Sequence, residues 1–432
     1  MIEKTPQYIE DAEALELSIK IRLSGEMKRI DDDYLYWDKV KYLSKETEPQ
    51  KYWNAVKFYR NLRTNKIKFG KYYFKYFLTE YIQKSLHLFD LNIGGSLGSN
   101  IGIAETDKNK FVISSIMEEA IASSQMEGAN TTRRKAKEII QKELKPRTKS
   151  EQMIVNNFIT MRHIVQNKNL DLTVDNLLTV HQLITNGTLE NEEEEGNFRK
   201  NDEIFVANFS NGDIVHIPPD HKEVNELIAD LCLFFNNEGE DFIHPIIKGI
   251  IIHFMIGWIH PFSDGNGRTA RSVFYWYMLK RGYWLTEYLS ISRIIKDTKN
   301  QYERAYLYTE NDENDLTYFI NYNIKTMDKA FVALKNYIGE KQREVIQASK
   351  FLRIPNVNER QAQILKILNE DSDRILNVKE IENRFKISSF TARQDLNGLT
   401  ELGFLQIIKV NKIKNNYIKS KDFDKILTSH SL

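Results

Sequence analysis

Cysteine, proline and glycine are scarce in this sequence, and each shortage excludes a class of architecture. The 432 residues include one cysteine, Cys232, which excludes an intrachain disulfide framework and a cysteine-based zinc site. Eight prolines and 19 glycines are spread thinly along the chain, so it lacks the dense turn signals of an all-β protein. We therefore predict a mainly α fold.

The sequence also lacks an excess of charge of either sign and an apolar run suited to a membrane span. Lys and Arg number 61 against 60 Asp and Glu, which excludes a general polyanion-binding protein but leaves local patches open. Residues 244–259 are the most apolar stretch, yet they are too few to cross a bilayer comfortably and include Lys248 and His253. No secretory signal is visible at the N-terminus, so we expect a cytoplasmic protein without a membrane partner.

One segment carries more chemistry than any other. Residues 260–271 read His-Pro-Phe-Ser-Asp-Gly-Asn-Gly-Arg-Thr-Ala-Arg and lie between two apolar helical stretches. The first helix should end at His260, because Pro261 disfavours helical backbone at the residue before it. The Gly-Asn-Gly turn at residues 265–267 can present backbone N–H groups, and a helical pattern resumes near Arg268. A helix N-terminus behind such a turn favours bound phosphate.

The side chains of this segment suit phosphate chemistry. Arg268 and Arg271 lie three apart on the first helical turn and can hold phosphate oxygens through bidentate hydrogen bonds. Asp264 can hold Mg²⁺, which usually takes one or two carboxylates in addition to substrate phosphates. His260 has an ordinary pKa suited to general-base work near neutral pH. Taken singly, each feature also fits a plain helix connection with surface charges, but together they predict a phosphate-handling site.

The same segment resembles the core motif of the Fic family, His-x-Phe-x-Asp/Glu-Gly-Asn-Gly-Arg-x-x-Arg, at every fixed position. The resemblance implies an enzyme that moves the AMP of ATP to a hydroxyl side chain of a protein target. It implies that His260 deprotonates the hydroxyl, that Asp264 binds the Mg²⁺ bridging the α- and β-phosphates, and that Phe262 anchors the loop. The remaining implied contacts are Gly265, Asn266 and Gly267 with the α- and β-phosphate oxygens, Arg268 with the β-phosphate and Arg271 with the γ-phosphate.

A second match lies upstream, where residues 123–128 fit the Fic inhibitory motif Ser/Thr-x-x-x-Glu-Gly/Asn. We expect an inhibitory helix over 110–128, with Gly128 as its stop. The resemblance implies that Glu127 pairs with Arg271 and so prevents this arginine from holding the γ-phosphate, with Ser123 as the other fixed residue. A plain helix end is the alternative interpretation of so loose a pattern.

A third feature is a hairpin pattern at residues 203–219 in an otherwise helical chain. Two β-prone runs, 204–207 and 214–217, flank the turn signal Ser-Asn-Gly-Asp at 210–213. Gly196 and Arg199 before it and the Pro-Pro pair after it also resemble the family pattern. The resemblance implies a flap that lines the nucleotide site and docks the target as an added strand, although an ordinary surface hairpin is the alternative. The flap residues expected to dock the target are Ile214, Val215, His216 and Ile217.

The adenine pocket is defined less sharply. The family commonly uses a Tyr and an Asn on the helices after the core motif, and Tyr302 and Asn311 are the nearest candidates, with Tyr306 as a rival. A tyrosine on a helix is more often a core residue than a ligand contact.

The chain divides by pattern into three parts. Residues 1–100, rich in Tyr, Trp and Lys, indicate a helical N-terminal region, and residues 101–345 the Fic core. Residues 357–432 resemble a small winged helix-turn-helix domain, with helices near 358–369, 378–385 and 389–405, of which 391–402 is in the recognition-helix position, and strands near 405–410 and 416–418. Its 13 Lys and Arg against 10 Asp and Glu give a net charge of only +3, which favours a protein-interaction or regulatory role over DNA binding.

Two functions therefore compete. The first is an autoinhibited AMP transferase, and the second is a DNA-binding transcriptional regulator whose Fic core serves as a sensor or interaction module. The intact core motif favours the first, since a binding module does not need His260 and Asp264 at this spacing. Self-modification and homodimerisation are compatible with the resemblance, and the target protein, a nucleotide donor other than ATP and removal of AMP stay open.

Overall fold

The computed structural model describes residues 2–44, 46–92, 105–207, 214–239, 241–283, 290–349, 351–372, 374–385, 387–409 and 415–429. Side chains of residues 105–114, Ala207, Val215, 337–338 and 340–349 are not part of this description. The chain divides into two compact units, Met1–Leu334 and Lys335–Leu432. The predicted boundaries near residues 100, 345 and 357 stay predictions.

The first unit is built mainly of helices, which confirms the predicted fold class. Its elements are α1 (Ala12–Leu23), α2 (Glu26–Asp32), α3 (Trp37–Val40), α4 (Pro49–Asn61), β1 (Asn65–Phe69), β2 (Tyr72–Tyr76), α5 (Glu80–Asn92), α6 (Glu105–Met126), α7 (Arg133–Gln141), α8 (Lys149–Gln166), α9 (Val174–Thr185), β3 (Val206–Ala207), β4 (Ile214–His216), α10 (Val224–Asn236), α11 (Pro245–Ile259), α12 (Asn266–Lys280), α13 (Ile291–Asp297), α14 (Lys299–Asn311) and α15 (Thr317–Ser349).

The N-terminal region is mainly helical, as the sequence indicated, with one hairpin that was not predicted. Strands β1 and β2 form an antiparallel hairpin around Gly70, whose φ of 51° is one that glycine adopts without strain. The inner face of the hairpin packs on α11, where the ring of Phe74 lies 5.1 Å from that of Trp258. Lysine alternates with apolar residues along β1, and this period of two is typical of a strand and not of a helix.

Helices α11 and α12 form the centre of the first unit. Nearly every side chain of both helices is buried, and they are joined by the short segment 260–265. A helix that is apolar on all sides must be enclosed by others, and α6, α8, α9 and α10 supply that enclosure. The loop between two fully packed helices therefore has rigid supports on both sides.

The second unit is a small domain with its own apolar core around Leu365, Leu396 and Phe404. Its elements are α16 (Glu359–Glu370), β5 (Leu376–Asn377), α17 (Val378–Phe385), α18 (Ser389–Glu401), β6 (Leu405–Lys409), β7 (Asn415–Lys419) and α19 (Phe423–Ser429). The strands form an antiparallel sheet in the order β5-β7-β6. Three helices followed by a strand pair confirm the predicted winged helix-turn-helix arrangement. Within the described residues, no helix has the length and apolar character needed to cross a bilayer.

Candidate active site

The segment 260–265 begins and ends with left-handed backbone. His260 caps the C-terminus of α11 with φ 49° and ψ 58°, and its N–H donates to the Ile256 carbonyl over 3.0 Å. Gly265, with φ 80°, is the residue before α12, which begins at Asn266 and so slightly earlier than the pattern indicated. The first backbone N–H groups of α12 have no partner inside the helix, which makes this end a favourable place for an anion.

Asn266 fixes the shape of the loop through its side chain. Its Oδ1 accepts the Phe262 N–H over 3.0 Å, and its Nδ2 donates to the Phe262 carbonyl over 2.8 Å. The side-chain amide is therefore occupied inside the loop. A phosphate contact at Asn266 is therefore expected from its backbone N–H and not from its side chain.

Arg199 ties the loop to both ends of the predicted flap. Its N–H donates to the Pro261 carbonyl over 2.9 Å and its Nε donates to the His260 carbonyl over 3.0 Å. The guanidinium also donates to the Pro219 carbonyl and to the Asp202 carboxylate. One buried arginine thus connects the residues before and after the hairpin with the backbone of His260.

His260 lies at a cavity of about 310 Å³, which is within the usual size of small-molecule sites. Residues Glu127, Gly267 and Arg271 line the same cavity. Nδ1 of His260 lies 3.2 Å from the Gly257 carbonyl, so Nδ1–H donates there in the neutral ring and Nε2 keeps its lone pair. Burial lowers the pKa of His260 to about 4, which keeps the imidazole unprotonated at neutral pH.

Arg271 is held entirely by the C-terminal part of α6 and the residue after it. Its Nη2 lies 2.9 Å from Glu127 Oε1 and 3.1 Å from the Ser123 carbonyl, and its Nε donates to Ser123 Oγ over 2.9 Å. Burial acts to lower the pKa of Arg271, but Glu127, Tyr302 and Glu119 together outweigh it and the pKa is raised. The structure therefore brings Glu127, Ser123 and Arg271 together as the family resemblance implied.

The contact between α6 and α12 extends beyond the predicted motif. Glu119 lies four residues before Ser123 on α6 and so shares one helix face with it. Glu119 is buried and its carboxylate accepts Tyr275 Oη over 2.8 Å, the Ser292 N–H over 3.0 Å and the Ser292 hydroxyl. Burial raises the pKa of Glu119, and these hydrogen bonds only partly offset the effect. The sequence reading missed this second polar contact of α6.

Arg268 is fully buried behind the loop, and its donors are only partly used. Nη1 donates to the Ile184 carbonyl over 3.1 Å, and Nη2 lies 3.7 Å from Asp264 Oδ1. Among the described residues, neither Nε nor Nη2 has a hydrogen-bond partner. Burial lowers the pKa of this guanidinium. A buried cation with unsatisfied donors beside a helix N-terminus indicates a place for an anion.

Asp264 is the exposed carboxylate of the loop, with 53 % of its side chain accessible. Its backbone is fixed, because the carbonyl lies 2.9 Å from His181 Nε2. An accessible carboxylate next to phosphate donors is the kind of ligand that Mg²⁺ takes together with phosphate oxygens, so the residues present fit this ion.

The flap hairpin is present, with Val206 paired to His216 and Ala207 to Ile214. The predicted turn at 210–213 lies outside the described residues. His216 is buried, with its two ring nitrogens 2.9 Å from Glu310 Oε2 and 2.8 Å from the Trp258 carbonyl, and it lines the cavity with Val206. Ile214 and Ile217 are exposed, by 57 % and 77 %, so the hairpin offers apolar side chains outward.

Tyrosines of α14 also belong to the cavity lining. Tyr302 and Tyr306 both line it, and Tyr302 Oη lies 2.9 Å from His253 Nε2. Gly257 permits this arrangement, because a Cβ there would overlap the Tyr306 hydroxyl. Asn311 does not belong to the cavity lining; its carbonyl accepts the Thr5 hydroxyl instead. Asn311 follows the lining residue Glu310 at the C-terminal end of α14, a placement that a loose alignment could not resolve.

Four residues at or beside the site escaped the sequence reading. They are His181, His253, Glu119 and Glu310. His253 is a lone polar residue in an apolar helix, a pattern that is usually structural, and the other three lie in ordinary amphipathic helices. Only their partners, which are distant in sequence, distinguish them.

Comparison with known proteins agrees with this geometry. Residues 171–278 match the model of the Fic/DOC family, and residues 360–410 match that of the DeoR-like helix-turn-helix domain. The protein adenylyltransferase Fic of Drosophila melanogaster is 29 % identical over 114 residues, 26 % of this chain and 21 % of that protein. The protein of the same name from Culex quinquefasciatus is 31 % identical over 117 residues, 27 % and 21 % of the two chains. The match thus spans about a fifth of the length of these relatives.

Two solved structures share the fold. A Fic family protein from Desulfovibrio desulfuricans G20 aligns with a TM-score of 0.50 at 21 % identity, covering 78 % of this chain and 96 % of the other. Fic-1 from C. elegans aligns with a TM-score of 0.52 at 16 % identity, covering 76 % and 88 %. At these identities the likeness establishes the fold alone.

Proposed function

We propose, from the matches to the Fic/DOC family and to the DeoR-like helix-turn-helix domain, that this chain is an autoinhibited protein adenylyltransferase. It transfers AMP from ATP to a Ser, Thr or Tyr hydroxyl of a protein target. One observation carries the proposal: His260, the start of α12 and Arg271 line one cavity, and Glu127 holds Arg271 inside it.

His260 acts as the general base. Nε2 takes the proton of the target hydroxyl, whose oxygen attacks the α-phosphorus while the bond from that phosphorus to the bridging oxygen breaks and pyrophosphate leaves. A base within reach contributes about 10²- to 10⁴-fold to such a step. The lowered pKa supports this role, since the ring is free to accept a proton at pH 7.

The anion sites divide between backbone and arginine donors. The N–H groups at the start of α12 hold the α- and β-phosphate oxygens, and the free donors of Arg268 hold the β-phosphate. Asp264 holds Mg²⁺, which neutralises phosphate charge when bound. Tyr302 lines the same cavity and is the proposed contact of the nucleotide base.

Glu127 inhibits by competition for Arg271. The guanidinium cannot serve a γ-phosphate while Glu127 and Ser123 occupy three of its donor contacts. Removing the carboxylate frees the Nη2 contact and part of the cavity, because Glu127 also lines it. The exposed Ile214 and Ile217 of the flap support docking of the target as an added strand.

Incubation with α-labelled ATP and Mg²⁺ tests the activity. We expect weak self-labelling of the unmodified protein, strong labelling of Glu127→Gly and none above background in Glu127→Gly/His260→Ala. Equal labelling of the unmodified and Glu127→Gly proteins would exclude the inhibitory role. Labelling that survives His260→Ala would exclude His260 as the base.

DNA binding by the second unit is a second proposed function, favoured by the environment of Asp395. Asp395, on α18, is one of the ten acidic residues counted in the net charge of residues 357–432. Asp395 is in fact buried, where Arg360 Nε and Asn358 Nδ2 donate to its carboxylate over 2.6 and 2.9 Å. The exposed residues of α18 therefore include Arg393, Gln394 and Asn397 with Glu401, but not Asp395. These side-chain types suit base edges in a major groove.

A gel shift on genomic fragments at stated salt concentrations tests this second function. We expect a retarded complex whose affinity falls with salt, and a loss of about 1–3 kcal/mol in binding free energy for Arg393→Ala. Lys366→Ala is a control, because Lys366 lies on α16 and pairs with Glu370. No retardation at low salt would reject DNA binding.

A further inference from the structure

His181 connects two segments of the first unit that are far apart in sequence. It lies on α9, is fully buried, and accepts the Gly196 N–H at Nδ1 over 3.1 Å. Its Nε2 lies 2.9 Å from the Asp264 carbonyl. The ring also stacks face to face on Phe262, with 3.7 Å between centroids and 2° between planes.

These contacts define the state of the ring. Because an N–H donates to Nδ1, that nitrogen carries a lone pair and not a proton. The proton of the neutral ring is then on Nε2, which faces a carbonyl and can donate to it. Both nitrogens are therefore matched to their neighbours in a single tautomer.

The Asp264 carbonyl shares a peptide plane with the Gly265 N–H. A hydrogen bond that fixes this carbonyl also fixes the direction in which the Gly265 N–H points. Gly265 packs closely on the same residues, because a Cβ there would lie 3.0 Å from Thr185 Cγ2 and 3.4 Å from His181 Nε2. The plane lies between the proposed Mg²⁺ ligand and the N-terminus of α12.

We propose that His181 is a positioning residue which sets the 264–265 peptide plane of the nucleotide loop through its Nε2–H bond to Asp264. The inference rests on the proposed function, because the loop is taken as the phosphate cradle. A side chain that only filled the core would give the stacking on Phe262 but would not need the two matched nitrogens.

Three substitutions separate these roles. Gln places its amide nitrogen near the position of Nε2 and keeps a donor for Asp264. Asn places its oxygen near the position of Nδ1 and keeps only the acceptor for Gly196. Phe keeps the stacked ring and neither bond. His163→Gln on α8 is the control, since its ring contacts Asn167 on the same helix.

The variants are compared in the full chain carrying Glu127→Gly, by kcat and KM for ATP and by hydrogen exchange of amides 262–267. We expect His181→Gln to keep kcat within a few-fold. We expect His181→Asn and His181→Phe to lose on the order of 100-fold in kcat, as a misplacement of about 1 Å can cause. The same two variants should exchange the loop amides faster, with a smaller change in KM.

The exchange measurement does not depend on activity. If the parent shows no labelling, the proposed function fails, while the order of exchange rates among the variants still decides the role of His181. Equal exchange and equal kcat for His181→Asn and His181→Gln would overturn the inference. Loss of kcat in parallel with the unfolding midpoint in all three variants would also overturn it.

Discussion

The Glu127 carboxylate occupies the space that a side chain at position 267 would need. A Cβ built on Gly267 would overlap Glu127 Oε1 and approach Arg271 Nη1 to 3.1 Å. Gly267 therefore does more than permit close approach of a phosphate. It leaves room for the carboxylate that competes with one.

This overlap predicts strong coupling between positions 267 and 127. Gly267→Ala should destabilise the unmodified protein by about 1–3 kcal/mol, the usual cost of an overpacked site. In the Glu127→Ala background the same change should cost much less, because the overlapping atom is gone. Urea unfolding of the four proteins in a double-mutant cycle measures the difference, and additive effects would contradict the overlap.

Glu119 should matter to inhibition although it does not line the cavity of the proposed nucleotide site. Glu119→Gln leaves the donors of Tyr275 and Ser292 with a poorer acceptor, which should cost about 1–3 kcal/mol. Because these bonds hold α6 against α12 and α13, we expect self-labelling to rise towards that of Glu127→Gly. Labelled ATP and thermal unfolding measure the two effects.

Glu118→Gln is the matched control for that change. Glu118 is the preceding residue of α6 and pairs with Arg133 and Lys137. Breaking these partly exposed pairs should cost less than about 1 kcal/mol and leave labelling unchanged. A rise in labelling with Glu118→Gln equal to that with Glu119→Gln would show that any weakening of α6 suffices.

The lowered pKa of His260 predicts an unusual pH profile. With a folded pKa of about 4, the base stays unprotonated well below the ordinary histidine range. In Glu127→Gly, kcat/KM for ATP should be flat from pH 7.5 down to about pH 5, since this ratio reports groups of the free enzyme. A falling limb centred near pH 6.5 would show that the ring is solvated as in a peptide.

His253 predicts a loss of stability in mild acid. Burial lowers its pKa to about 3, so the folded chain binds fewer protons there than the unfolded chain between pH 6.5 and 3. Its contribution to stability is fully present above pH 6.5 and is lost as the pH falls, by about 2 kcal/mol at pH 5. His253→Gln, which can keep a bond to Tyr302, should show a shallower decline.

Tryptophan fluorescence in urea measures the unfolding of the first unit, which contains His253. All five tryptophans precede residue 334 and so report on the first unit. Spectra of both proteins at pH 7, 6 and 5 give the two slopes. Parallel slopes for His253→Gln and the unmodified protein would show that another group accounts for the decline.

Local sequence predicted the elements whose signals lie within a few residues. The apolar run before His260, the proline after it and the Gly-Asn-Gly turn give the helix end and helix start that the structure has. The three helices and strand pair of the second unit followed from the same kind of pattern. The hairpin at residues 65–76 was not predicted, because its alternation of lysine and apolar residues is short and helical patterns surround it.

The rest of the site could not be predicted because its contacts join distant segments. Nothing in the sequence near Asn266 says that its amide binds Phe262 and not a ligand. Nothing near Asp395 in the sequence indicates that its carboxylate is buried and paired with Arg360. Spacing along α14 does not distinguish Asn311 from its neighbour Glu310, and it is Glu310 that lines the cavity.

The left-handed backbone of His260 makes alanine an imperfect substitution for testing the role of its imidazole. At φ 49° an alanine is disfavoured by roughly 1–2 kcal/mol, so His260→Ala alters the local backbone preference as well as removing the imidazole. Asparagine visits this conformation more readily than other residues except glycine. His260→Asn therefore separates the two effects: it leaves the end of α11 and the bond from Arg199 in place while taking away the proton acceptor.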